Sequence, residues 1–313
     1  MSSNYHIPVL FNECIEAMDL TNGEVFVDVT YGGGGHSKEI LKNISSNSVL
    51  VAFDQDEDAL ANVIENEKLI FINANFRFIK NFLKFNGLNK VDAILADLGV
   101  SSHQFDSGKR GFSIRTDARL DMRMNQKADV SAFEVVNKYE PVDLYRIFNS
   151  YADLKNVKKL VHAIIGARKE ASIVTTGDLV KLISPLVIGK KVNQFLAQVF
   201  QAIRIEVNDE MGALEDLLEA SADVLAPGGR LVVMSYHSIE DRLVKNFIRT
   251  GRFDGVLDKD MYGNVLKPLQ AVNKKPIVPS EAENGINSRA RSAKLRIATK
   301  PIIERTKSES KHK

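Results

Sequence analysis

Apolar residues in the first third of the chain fall in short unbroken runs, separated by stretches of helical spacing. Glu24-Val25-Phe26-Val27-Asp28-Val29, Val49-Leu50-Val51-Ala52-Phe53, Leu69-Ile70-Phe71-Ile72 and Val91-Asp92-Ala93-Ile94-Leu95-Ala96 read as strands. Ser37 to Asn43 and Glu57 to Glu67 read as helices between them. Runs without alternation are buried on both faces, so the pattern predicts parallel strands covered by helices, an α/β doubly wound sheet. After Ser102 the rhythm changes. From about Ser131 to Leu218 apolar positions recur at three and four residues, as in Leu144-Ile147-Phe148 and Val161-Ile164-Ile165, with no strand between. The strand pattern returns after Ala226-Pro227-Gly228-Gly229, a turn that launches Arg230 to Ser235. Gly251 to Gly285 reads as a long loop, and Ile302 to Lys313 as a charged, disordered end. These changes predict an α/β domain in two parts, 1–107 and 211–300, interrupted by a helical insertion over 108–210 and followed by a basic tail over 301–313.

Composition narrows the class. With 313 residues, 44% of them hydrophobic, the chain can build sizeable cores without metal or disulfides. The single cysteine, Cys14, excludes a disulfide framework and a cysteine-based zinc ribbon. No apolar run approaches the roughly 20 residues that span a bilayer, and Met1 to Pro8 has no targeting character. A cytoplasmic location with no membrane partner is expected. The six histidines show no ligand spacing, so no metal is expected.

The net charge of +2 speaks against a nucleic-acid partner only if the charges are evenly spread. They are not. Gly108 to Glu210 holds 17 basic and 12 acidic residues, and Gly285 to Lys313 holds 9 against 2, which leaves −10 on the remainder. Two basic stretches beside an acidic remainder point to surfaces that meet a polyanion, although solvated helix faces and a frayed end give the same count.

Three clusters carry candidate chemistry. Thr30-Tyr31-Gly32-Gly33-Gly34-Gly35-His36-Ser37 links the first strand to its helix, and such a loop lets backbone and helix N-terminus approach a ligand closely. Asp54 follows the second strand 19 residues after Gly35, where an acid can accept from ribose hydroxyls. Ser37 occupies the third glycine position of a dinucleotide fingerprint, which disfavours a pyrophosphate and an NAD-dependent dehydrogenase. S-adenosylmethionine, a nucleoside with an amino-acid end and no phosphate, fits better. Asp97-Leu98-Gly99-Val100-Ser101-Ser102 closes the fourth strand at the same sheet edge. Asp97 suits either orienting an amine nucleophile or holding the methionine end, and an Asp/Ser turn capping the next element is the plain alternative. In Ser235-Tyr236-His237-Ser238-Ile239-Glu240-Asp241-Arg242, Tyr236 can stack on a base and His237 can relay a proton. A helix cap with Ser238 opening the helix and Asp241 in the capping-box place explains the same residues.

Those three strings, with Arg110-Gly111-Phe112-Ser113, Leu120-Asp121-Met122-Arg123-Met124, Phe200-Gln201-Ala202-Ile203-Arg204-Ile205 and Ser288-Arg289-Ala290-Arg291-Ser292, resemble the bacterial ribosomal RNA small subunit methyltransferase H family from about Tyr5 to Ala298. The resemblance implies a class I S-adenosylmethionine-dependent methyltransferase fold with an inserted helical, RNA-recognising domain. It implies methylation of the N4 amine of a cytidine in the decoding centre of 16S rRNA, with 16S rRNA or the small ribosomal subunit as partner; a homodimer is compatible. Carried over by motif, the cofactor residues are Gly34, Gly35, His36, Asp54, Phe76, Asp97 and Gln104. The expected catalytic residues are Asp97, Ser101, Tyr236 and His237, and the expected RNA contacts Arg110, Arg115, Arg119, Arg123, Arg289 and Arg291. For Arg119, Asp121 and Arg123 a structural salt-bridge cluster is the other reading. The family pattern is broken at His103, at Ala152 and over Gln194 to Val199. From a different class, a non-catalytic RNA-binding ribosome assembly factor on the same fold stays open.

Overall fold

The computed structural model describes residues 8–100 and 108–302, apart from the side chains of Lys190, Ser288 and Arg289. The chain divides into two compact units, Met1–Asp54 with Asn62–Gly99 and Leu214–Lys313, and Gln55–Ala61 with Val100–Ala213.

The first unit is built on strands β1 (Val25–Asp28), β2 (Val49–Phe53), β3 (Leu69–Ile72), β4 (Val91–Asp97), β5 (Leu225–Ser235), β6 (Gln270–Ala271) and β7 (Lys294–Thr299), in the order β3-β2-β1-β4-β5-β7-β6. Strands β1 to β5 are parallel, and β7 runs antiparallel to both β5 and β6. Alternate residues of a strand point to opposite faces, and here both faces are covered. Val27, Val51, Ile94, Leu231 and Val233 enter one core, whereas Phe26, Leu50, Ala93, Leu95, Val232 and Met234 enter another. That double burial is why the sequence shows unbroken apolar runs. From β1 the chain moves outward to β3 and then returns to place β4 on the other side of β1. The reversal opens a crevice at the carboxyl ends of the strands. This is the doubly wound α/β sheet that the unbroken apolar runs predict, extended at one edge by an antiparallel pair.

Three local expectations need correcting. Glu57 to Glu67 is not an α-helix: a 3-10 helix covers Glu57–Asn62, and the chain then runs irregularly into a turn before β3. The Asn62 carbonyl accepts from the Tyr31 hydroxyl at 2.8 Å, and that hydroxyl accepts from the Ile64 N–H at 3.1 Å, so the backbone groups that would continue a helix are engaged elsewhere. The Ala226 to Gly229 turn does not precede the strand but lies inside β5 as a bulge. Val91 pairs with Leu225 and Ala93 with Arg230, and Gly228 absorbs the excess at φ 85°. The Gly251 to Gly285 loop contains β6 and gives way at Glu281–Ile286 to a short helix. β7 has no counterpart in the apolar pattern; its six residues carry two basic side chains, Lys294 and Arg296, which pair with Asp241.

The second unit is helical. Its central helix, Val192–Asn208, buries Phe195, Leu196, Val199, Phe200, Ile203 and Val207, an i, i+3, i+4 stripe. Ser131 and Thr175 open the helices Ala132–Lys138 and Thr176–Ile183 with capping boxes closed by Glu134 and Asp178. Between them and Gly108 the chain forms a tight knot. Leu120 and Met122 are fully buried, and Met122 is held at φ 59° while Asn208 donates to its carbonyl at 2.8 Å. Asn208 also accepts from the Met124 N–H at 2.7 Å. Arg110 reaches into this knot, where one guanidinium nitrogen bonds Asp56 and Asp58, and the other bonds the carbonyls of Arg123 and Met124. Arg123 in turn grips both oxygens of Asp121 at 2.8 Å and donates to the Ala128 carbonyl. Arg110 and Arg123 therefore serve as internal ties, with their guanidinium groups engaged by carboxylates and carbonyls of their own unit. Among the described residues no helix is long and apolar enough to cross a membrane.

Removing one partner of a shielded ion pair leaves the other charge without compensation. Arg110→Ala is expected to cost about 3–5 kcal/mol, read as a lower urea midpoint, because it strips the guanidinium from buried Asp56. Exposed Arg115→Ala should stay within about 0.5 kcal/mol of the parent. Equal midpoints for the two variants would refute the structural role of Arg110.

Candidate active site

The site begins with a carboxylate inside the sheet. Asp28, the last residue of β1, is fully buried, and burial pushes its carboxyl pKa up. One oxygen accepts from the Ser37 hydroxyl at 2.7 Å, and the other from the Thr30 N–H at 3.0 Å and the Thr30 hydroxyl at 3.4 Å. Thr30 Oγ1 then accepts from the Asp97 N–H at 2.8 Å. Asp28 thus joins the end of β1, the first turn of the Gly35–Asn43 helix and the end of β4. The pattern reading missed Thr30 and Asp28; the signal was an acid at a strand end with hydroxyl residues two and nine positions on.

The glycine loop wraps around this anchor. Gly32 and Gly34 have φ values of 51° and 74°, and the Gly32 N–H donates to Asp54 at 2.8 Å. A Cβ on Gly34 would lie 2.8 Å from the Tyr31 hydroxyl, and one on Gly35 would lie 3.0 Å from the Pro8 ring. The N-cap of the helix behind the loop is Gly34, which has no side chain to offer as a cap. The helix's first N–H groups are donors of the kind that bind an anionic ligand group. Asp54 sits just past β2, and Asn73 donates to its carbonyl at 2.9 Å. Phe76 follows in the Asn75-capped turn after β3, half-buried against the core.

Beside the loop lies a titratable trio. His36 is buried, stacks on Phe11 with ring centroids 5.4 Å apart, and places Nδ1 3.9 Å from Asp97. Its Nε2 is buried with no hydrogen-bond partner among the described residues. Burial lowers the His36 pKa, an effect the Asp97 charge opposes, so the ring is neutral at pH 7. Asp97 keeps 21% of its side-chain surface open, yet desolvation pushes its carboxyl upward against the pull of His36 and of the Tyr236 hydroxyl. Tyr236 donates to Asp97 at 2.8 Å; burial and the nearby Asp97 charge raise its pKa well above the ordinary phenol, so it stays a donor. Gly99, at φ 101°, lies beside the Tyr236 ring, and it is the backbone conformation rather than space that favours glycine there. The Cys14 thiol is buried and likewise pushed up, first by desolvation and then by Asp97.

His237 has a different task from the one expected of it. It is the N-cap of the Ser238–Thr250 helix: its Nδ1 accepts from the Glu240 N–H at 3.3 Å, and its Nε2 lies 3.1 Å from a Glu240 oxygen. Buried Glu240 closes the capping box by accepting from the N–H groups of Tyr236 and His237 at 2.9 and 3.2 Å. The ring thus holds the helix start through Nδ1, and its Nε2 is buried with no hydrogen-bond partner among the described residues. The expected cap of Ser238 with Asp241 is displaced by one residue, because Asp241 is held by Lys294 and Arg296 of β7. Ser101 and Gln104 lie outside the described residues, as does the side chain of Arg289. Arg115, Arg119 and Arg291 are exposed.

Asp97 binds its proton more tightly folded than unfolded, so its contribution to stability is fully present below the unfolded carboxyl pKa and is lost as pH rises through the folded value. Asp97→Asn removes that penalty while keeping an oxygen for Tyr236. The variant should melt above the parent at neutral pH, by a margin that shrinks as the pH falls toward the ordinary carboxyl range of about 4. A margin independent of pH in calorimetric melts would rule out a strained carboxylate here.

The same sheet edge and loop can be set beside known proteins. The model of the MraW methylase family matches residues 3–301. The ribosomal RNA small subunit methyltransferase H of Flavobacterium johnsoniae is 54% identical over 296 residues, covering 95% of this chain and 98% of its own. Its namesake in Christiangramia forsetii is 53% identical over the same shares. A solved rRNA methylase from Streptococcus thermophilus aligns with 96% of this chain and 100% of its own at 13% identity and a TM-score of 0.41, too distant to add to the fold read from the strand order. On the family match and these identities, the chain belongs to the MraW methylase family.

Proposed function

We propose that this methyltransferase acts on the exocyclic N4 amine of a cytidine in 16S rRNA, as free rRNA or within the small ribosomal subunit, in the cytoplasm. The observation that carries the reading is the meeting of Asp97, His36 and Tyr236 beside a glycine cradle at one sheet edge, in a chain of a methylase family.

The residues present fit S-adenosylmethionine. Gly34, Gly35 and His36 would hold its amino-acid end, Asp54 its ribose and Phe76 its adenine. When bound, S-adenosylmethionine supplies a methyl carbon made electrophilic by its sulfonium. Neutral His36 brings no second positive charge to that place. Asp97 accepts an N–H of the amine, which orients the nitrogen, and its raised pKa makes it a stronger acceptor than an exposed carboxylate. The Tyr236 hydroxyl, kept protonated, fixes the Asp97 carboxylate. Ser101 is the further hydroxyl candidate in the same motif. The insertion would recognise RNA, with exposed Arg115 and Arg119 meeting phosphates; Arg291 and Arg289 would do so from the other unit.

Asp97→Ala should lower kcat by about 100-fold or more, measured as methyl transfer to rRNA from a strain lacking the gene. Tyr236→Phe, which removes one hydrogen bond to Asp97, should lower it about tenfold. Calorimetry with S-adenosylmethionine separates the roles of Asp97: weaker cofactor binding marks the methionine-holding role, and unchanged binding the amine-orienting one. If Asp97→Ala alters neither binding nor turnover, the assignment is wrong. No binding heat from the parent protein would favour a non-catalytic assembly factor.

A further inference from the structure

Between Gly251 and Ser280 the first unit sends out a built hairpin that no part of the proposed site uses. Its base is pinned to the core. Phe253 stacks on Phe247 with centroids 5.1 Å apart, Asn246 donates to the Phe253 carbonyl at 2.9 Å, and Leu269 is fully buried on the return. Above the base, Lys259 pairs antiparallel with Val265, the Leu266 N–H donates to the Asp258 carbonyl at 2.8 Å, and the Asp260 N–H donates to the Asn264 carbonyl at 2.9 Å.

Three residues, Met261, Tyr262 and Gly263, form the tip. Gly263 sits at φ 84° and its N–H donates to the Asp260 carbonyl at 3.0 Å, as in three-residue hairpin loops. The Asp260 carboxylate accepts from the N–H groups of Tyr262 and Asn264 at 2.8 and 2.9 Å and from the Asn264 amide at 3.0 Å. So much local bonding fixes a tip whose two large side chains are in water: Met261 is 88% exposed and Tyr262 82%.

The surrounding charge says what such a tip fits. Lys259, Lys267, Lys274 and Lys275 are exposed. Of the acids in the same stretch, Asp254 is held by Arg252 at 2.7 Å, Asp258 adds its charge to the field at that same guanidinium, and Asp260 is turned onto its own loop. An aromatic ring and a thioether flanked by ammonium groups match a polyanion with exposed π faces, since base stacking on a tyrosine is sequence-tolerant and lysines supply the phosphate contacts.

We propose that the hairpin from Lys259 to Lys267 is an RNA contact of the methyltransferase unit, with Tyr262 stacking on an unpaired base beside Met261 and with Lys259 and Lys267 meeting neighbouring phosphates. The proposal rests on the RNA-methylating reading above. The test uses the full chain carrying Met261→Ser with Tyr262→Ala, which keeps Asp260, Gly263 and Asn264, and separately Tyr262→Phe. The probes are deproteinised 16S rRNA and small subunits from a strain lacking the gene. RNA retention is measured by filter binding, apart from methyl transfer. The double variant should raise the RNA Kd and KM about tenfold, leave kcat at saturating RNA and the S-adenosylmethionine affinity unchanged, and lose the effect when Phe replaces Tyr262. Unchanged RNA binding by the double variant overturns the proposal, as does a shift to a smaller assembly in sedimentation, which would make the tip a contact between copies. Parent protein that retains RNA but transfers no methyl would instead sink the reading of function while leaving the hairpin tested.

Discussion

The site depends on one buried carboxylate. Asp28 accepts three hydrogen bonds in a place without solvent, and together they tie separate obligations of the fold. Ser37 sets where the helix after β1 begins, Thr30 sets how the glycine loop leaves the strand, and through Thr30 the end of β4 is fixed as well. A buried charge costs free energy unless it is bonded in this way. The cost is tolerable because the bonds hold the loop and Asp97 in register, and the trio of Asp97, His36 and Tyr236 inherits its geometry from that register.

Much of this was legible in the residues. Strands β1 to β4 fall on unbroken apolar runs because both sheet faces are covered, so burial alone writes the pattern. Asp54 and Asp97 could be placed because parallel strands end on one edge. β7 escaped because Lys294 and Arg296 interrupt its apolar positions, and those charges are explained only by Asp241, 53 and 55 positions away. The segment after Glu57 has helical composition, but the Tyr31 hydroxyl claims its backbone, a long-range bond that local spacing cannot show. The cap at His237 escaped for a similar reason: the acid that completes it, Glu240, was a neighbour of the acid that β7 claims.

Charge was legible as a total and misleading as an address. Arg110 and Arg123 stand in a basic stretch, yet both guanidinium groups are turned onto carboxylates and carbonyls of their own unit. Arg115, Arg119 and the lysines of the 259–267 hairpin are among the cations left facing water. The count of basic residues therefore bounds what a surface can offer, and the acids beside them decide what it does offer.

Ser37 and Asp28 also constrain how this loop can change over time. Replacing Ser37 by the glycine of a dinucleotide loop would withdraw one donor from a buried carboxylate; replacing Asp28 first would strand the Ser37 hydroxyl and release Thr30. Each single change is expected to give a less stable protein, because it leaves a buried polar group short of a partner. The start of the helix behind the glycine loop is thereby set by a pair of residues rather than by one.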